Sequence, residues 1–157
     1  LKRDSLGSIF VASDNELIYS KVINGVETRN DSITIIGQES WLTDTSIDYS
    51  KFERTRVNLA APNYRAISNP AYTEFRKKFI QKHGILPGEY ATLGYETTMM
   101  VGQFFSKYGA RFLKLMPPGE IQPGHLGTGY LLLPGRDNGH VSFISFKQGV
   151  VVTTGTE

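Results

Sequence analysis

Ile9-Phe10-Val11-Ala12, closed by Ser13-Asp14-Asn15, decides how the rest of the chain reads. A brief apolar run ended by turn-forming residues suits a strand buried on both faces, as in a parallel sheet. Leu17, Ile18, Val22, Ile23 and Val26 then recur at helical spacing, and either Asp14 or Asn15 is placed to cap that helix. Ile33-Thr34-Ile35-Ile36 repeats the strand pattern and stops at Gly37. Trp41 and Leu42 open a less regular segment, with a short helix expected near Ser46 to Phe52. Arg56 to Ala61 reads as a third strand, ended by Pro62. The order β-α-β-α-β predicts right-handed crossovers and a parallel sheet, with ligands at the carboxyl ends of the strands. Asp14, Asn15 and Glu39 occupy such ends.

Ala61 to Ser68 looks like a crossing segment into a different region. Asn69 caps the next helix, and Pro70 stands at its first position, where proline's missing N–H needs no partner. Tyr72, Phe75 and Phe79 form the apolar stripe, Glu74 and Lys78 pair at i,i+4, and Gly84 ends the helix. Pro87-Gly88-Glu89-Tyr90 is an elbow into a second helix, about Tyr90 to Tyr108. That helix is apolar nearly all round and is expected to be central and buried. From Gly127 the character changes. Tyr130–Leu133, Val141–Phe146 and Val150–Thr153 are strand-like, and the turns between them predict an antiparallel meander.

The chain has 157 residues, 39% of them hydrophobic, enough for one globular domain with a sizeable core. Its formal net charge of +2 gives no electrostatic reason to expect nucleic acid as a partner. The basic run Arg76, Lys77, Lys78 and Lys82 reads as the solvated side of a helix. Cysteine is absent, which excludes disulfides, thiolate nucleophiles and zinc-thiolate sites. No window approaches the ~18 apolar residues of a membrane span. Leu1 to Leu6 looks like the end of an amphipathic helix, so the chain is read as a piece of a longer protein.

Catalytic signals are weak. Gly124-His125-Leu126-Gly127-Thr128-Gly129 precedes a strand and does not open a helix, so it reads as a turn and not as a phosphate cradle. His83, His125 and His140 lie outside any metal-ligand spacing, and no nucleophile elbow is present. No catalytic residue, metal or cofactor is therefore expected, and an enzyme is the weakest reading. Each binding candidate has a plain structural alternative. Glu39 suits a ligand ammonium group through charge-assisted hydrogen bonds, or is an exposed loop acid. Trp41 stacks on a ligand or anchors the core. Tyr90 has the same ambiguity, with its apolar body and polar tip, and Asp14 and Asn15 are competing candidates for a helix cap.

Taken together, these landmarks resemble the C-terminal half of type I periplasmic binding proteins. That family includes branched-chain amino-acid-binding proteins and receptor ligand-binding regions. The resemblance runs over most of the chain, through Ile9–Asn15, Ile35-Ile36-Gly37-Gln38-Glu39, Phe75 to Pro87 and Gly94-Tyr95-Glu96-Thr97. Gly129 to Gly149 is similar to the family's return through the hinge. Glu96 stands where the family usually has aspartate, and Trp41 and the Leu113–Pro123 segment depart from typical transport receptors.

The resemblance implies an α/β fold, part of a two-lobed protein. Residues 1–61 are expected in the C-terminal lobe, 62–134 mainly in the N-terminal lobe and 135–157 in strands returning through the hinge. It implies a solute-binding protein of an ABC-transport or sensing system, periplasmic or held at the cell envelope, with a transporter permease as partner. An amino acid or similar molecule would sit between the lobes. Glu39 would hold its ammonium group, Tyr90 would line the cleft, and Asn15 would reach the ligand with Asp14 or Glu16 as near neighbours. An envelope protein-interaction module with a degenerate cleft is the alternative. Surfaces meant for missing strands would suit pairing with a partner or a homo-oligomer.

Overall fold

The computed structural model describes residues 7–46, 48–117, 119–127, 129–133 and 137–154. The chain divides into two compact units, Leu1–Tyr64 with Val141–Glu157, and Arg65–His140. The expected helix end at residues 1–6 lies outside the described residues.

The first unit is an α/β layer. Its strands are β1 (Ser8–Phe10), β2 (Thr34–Gln38), β3 (Val57–Ala60), β6 (Phe143–Lys147) and β7 (Val150–Thr154), in the order β1-β2-β3-β6-β7. β1, β2 and β3 are parallel; β6 and β7 join them antiparallel. Helices α1 (Glu16–Arg29) and α2 (Tyr49–Arg54) are the crossovers. Because the parallel strands follow one another in sequence order, right-handed crossovers put both helices on the same face. The core lies there, with Tyr19, Ile23 and Val26 of α1 and Phe52 of α2 against Ile35, Val57, Leu59 and Ile144.

The alternation of the strands follows from that one-sided layer. Ile35 and Gly37, like Val57 and Leu59, are buried, whereas their neighbours Ile36 and Asn58 are half-buried. On the same side as Ile36, Phe10 of β1 is 63% exposed. This corrects the expectation of a first strand buried on both faces: β1 ends the sheet, and among the described residues of this unit the helices pack on one face only. Gly37 is also not a stop. It pairs with Leu59 inside β2. A Cβ there would enter the indole ring of Trp41. The β6–β7 turn is as expected, with φ of 52° at Gln148 and 73° at Gly149, the left-handed pair that a two-residue hairpin loop requires.

The second unit is built on α3 (Pro70–His83) and α4 (Glu89–Tyr108), followed by a 3-10 turn, the short helix α5 (Phe112–Leu115) and a ribbon of β4 (Gln122–Pro123) with β5 (Gly129–Tyr130). Asn69 Oδ1 accepts from Ala71 N at 2.9 Å and Tyr72 N at 3.3 Å, and Gly84 closes the helix with φ 71°. Phe75 of α3 is buried and packs on Tyr95 of α4, ring centroids 4.5 Å apart.

Two expectations fail in this unit. α4 is not central: only Glu96 and Phe104 are buried, and Leu93 and Phe105 are exposed, because helix and ribbon cover one side of it. The meander is not continuous either. β5 pairs with β4 in a separate two-stranded sheet, and Leu132 meets Asn138 only in an isolated bridge.

Candidate ligand-binding site

The carboxyl edge of the parallel strands is built by three loops. Ser13-Asp14-Asn15 follows β1, Glu39 begins a 3-10 helix (Glu39–Thr43) directly after β2, and Pro62-Asn63 follows β3. Local chemistry shapes the first: Asn15 Oδ1 accepts from Leu17 N at 3.0 Å and caps α1, while Ser13 Oγ accepts from Asn15 N at 3.2 Å. Asn15, and not Asp14, is therefore the cap. Both side chains are exposed.

Two long-range bonds lock these loops together. Trp41 Nε1 donates to the Ser13 carbonyl at 2.7 Å, and Asn63 N donates to Glu39 Oε2 at 3.0 Å. The first joins the β1 and β2 loops, the second the β2 and β3 loops. Asp14, Asn15 and Glu39 thus share one acidic edge of the sheet, its loops joined by these two bonds. Glu39 is half-buried with one oxygen engaged by a main-chain N–H, which fixes the position of its carboxylate.

Trp41 is placed differently from the ligand-stacking role. Its side chain is 1% exposed and stacks on Tyr19 with centroids 4.4 Å apart, edge-on to Phe52 at 6.1 Å and against Gly37. It anchors the core and acts on the edge through Ser13. Tyr90 stands in the first turn of α4 in the second unit and is 87% exposed.

A polar cavity of about 390 Å³ lies between α1 and the segment leading into α2, lined by Tyr19, Asn24, Asp44, Ser46, Asp48 and Lys51. The Tyr19 hydroxyl donates to Asp44. Burial, then that hydrogen bond, raises the phenol's pKa well above its ordinary value. Ser46, then Tyr19, donate to Asp44 and hold its carboxyl below the usual range. Neither this pair nor Asn63 was singled out from sequence, since each acts through a partner distant in the chain.

In the second unit, Glu96 is fully buried and Oε2 accepts from Leu126 N at 2.7 Å. That bond holds the loop after β4, in which residues 124–127 of the glycine-rich stretch lie. The histidines are less scattered than their spacing suggests. His83 and His125 line a common cavity, and His125 Nε2 lies 3.5 Å from the Tyr95 hydroxyl. Among the described residues no group of three or more His, Asp or Glu is arranged to hold a metal ion. No helix among them is long and apolar enough to cross a membrane.

The chain matches no protein-family model and no curated protein. Two solved structures are similar to it. One is an ABC transporter substrate-binding protein from Desulfitobacterium hafniense in complex with Leu, at 15% identity and TM-score 0.49, covering 94% of this chain and 43% of that one. The other is an ABC transporter substrate-binding protein from the same organism, at 16% identity and TM-score 0.49, covering 93% and 43%. The chain thus spans less than half the length of either.

Proposed function

We propose that the chain is part of a solute-binding protein of an ABC-transport or sensing system, and that it contributes the ammonium-holding half of a site for an amino acid or similar small polar molecule. The observation that carries this reading is Glu39 at the carboxyl edge of the parallel sheet. It is held by Asn63 N and flanked on the neighbouring loop by Asp14 and Asn15. Open α/β sheets bind ligands at this edge, and a preset carboxylate favours a cationic group through charge-assisted hydrogen bonds. The sequence resemblance to type I periplasmic binding proteins supports the same reading. In that reading the first unit belongs to one lobe and the second to the other. The ligand-bound state is the one that a permease recognises. The place of action is then the periplasm or cell envelope.

The test is calorimetric titration of the protein at its full natural length with individual amino acids, alongside Glu39→Gln. Glutamine keeps an oxygen for Asn63 N but loses the charge. Saturable binding that weakens at least tenfold in the variant supports the assignment. Absence of binding by the wild type, or equal binding by both, overturns it.

One observation favours a second reading, an envelope interaction module. Tyr90, Leu93 and Phe105 place exposed apolar surface along α4, of the kind that partners cover.

A further inference from the structure

The second unit holds a groove outside the carboxyl-edge site. Tyr95, Met99, Gln103 and Lys107 stand four residues apart on α4, so they share one helix face over roughly 18 Å. Two cavities open along this stripe. One, of about 530 Å³, is lined by Tyr95 and Met99 together with Phe75 and Phe79 of α3. The other, of about 360 Å³, is lined by Gln103, Phe104 and Lys107 together with Gln122 and the following turn. His125 lines both.

Their chemistry is complementary. The first has an aromatic and thioether wall with Lys78 and Lys82 at its margin, and its one lining carboxylate, Glu74, is already paired with Lys78 at 2.7 Å. Among the described residues no carboxylate lines the second. Gln122 is 4% exposed, held in the ribbon opposite Tyr130, and its Nε2 has no hydrogen-bond partner among the described residues. A buried amide donor left unmatched is a cost that an acceptor in the cavity would relieve. Lys107 lines the same cavity and brings positive charge to it, its ammonium resting over the Tyr108 ring with Glu120 acting on it.

We propose that this groove binds a small carboxylic acid with an aromatic or other apolar body. The carboxylate accepts from Gln122 Nε2 beside Lys107 and His125. The body lies past His125 against Phe75, Tyr95 and Met99. Both cavities fall within the size range of small-molecule sites. This ligand is held by its acidic end, whereas Glu39 would hold a basic one, so the two sites are chemically distinct.

The experiment is calorimetric titration of the protein with phenylacetate, using 2-phenylethanol and 2-phenylethylamine as neutral and cationic matches. Phenylacetate is expected to bind saturably and at least tenfold more tightly than either. Gln122→Leu should weaken it at least tenfold and Lys107→Gln at least threefold, with far-UV circular dichroism unchanged. Glu39→Gln should leave it unaffected, which separates this outcome from failure of the amino-acid reading. No binding of phenylacetate, or binding no tighter than 2-phenylethanol, overturns the proposal. So does wild-type affinity in a folded Gln122→Leu. Should Gln122→Leu fail to fold, Lys107→Gln decides, and unchanged affinity in it overturns the proposal.

Discussion

The indole N–H of Trp41 donates to the main-chain carbonyl of Ser13 at 2.7 Å, across 28 positions of sequence. The ring that makes this bond is sealed between Tyr19 and Gly37, so the loop carrying Asp14 and Asn15 is held by the core itself. Trp41→Phe keeps much of the packing but leaves the Ser13 carbonyl without this donor. It should cost about 0.5–1.5 kcal/mol for the hydrogen bond, since the Ser13 carbonyl is only part-buried, with any lost packing added. Urea unfolding followed by circular dichroism reads the loss. Faster amide exchange at residues 13–15 would show that the loop is its site, and unchanged exchange there would refute the link.

Gly37→Ala tests the same contact from the other side. The added methyl enters the Trp41 ring, and neither the strand paired with Leu59 nor the sealed indole can easily withdraw. Overpacking of this kind costs about 1–3 kcal/mol. Trp41 is the chain's only tryptophan, so its emission should shift with the loss of stability. A variant as stable as the wild type, with unchanged emission, would show that the ring has room.

Glu96→Ala removes the acceptor for Leu126 N in a fully buried place, and about 1–3 kcal/mol should be lost with it. Glu96→Gln retains an oxygen and should lose less. Exchange of the Leu126 amide with solvent distinguishes the two, rising strongly in the alanine variant and modestly in the glutamine variant. Equal behaviour of both would mean that the bond does not hold the turn.

The Tyr19–Asp44 pair predicts opposite effects at the two ends of the pH scale. Asp44 has a lowered pKa when folded, so its contribution is present above the ordinary aspartate range. That contribution is lost as the pH falls through the folded value. Tyr19 has a raised pKa, so its contribution is complete below the ordinary tyrosine value of ~10 and declines as the pH rises from there towards the folded value. Urea midpoints across pH should therefore fall less steeply above pH ~10 in Tyr19→Phe than in the wild type. The acid limb should also shallow, because Asp44 loses one donor. Tyr64, raised by burial, leaves some alkaline slope in the variant. Superimposable profiles for the two proteins would rule the coupling out.

Much of the fold was legible because it is encoded locally. Asn69, Pro70 and Gly84 mark both ends of α3 through bonds to residues within a few positions, and the Gln148-Gly149 turn follows from two left-handed backbone positions. The alternation of β-strands and helices, from which a parallel sheet was expected, is equally local, and β1, β2 and β3 are parallel. Burial was less legible. An apolar run shows that a segment can be buried, not how many neighbours it will receive, which is why Phe10 and much of α4 are exposed.

Sequence by itself determined that Asp14, Asn15 and Glu39 stand at or just beyond the carboxyl ends of strands, because the apolar runs before them are local. The turn-formers Ser13-Asp14-Asn15 mark the first end, whereas Gly37 lies inside β2. Tertiary structure alone decided what their neighbours do. Trp41 went to the core because Gly37 leaves space for its ring and Ser13 offers an acceptor. Asn63 came to Glu39 across 24 positions, and Leu126 to Glu96 across 30. These contacts depend on strand register and helix packing, which bring together groups that no local pattern relates.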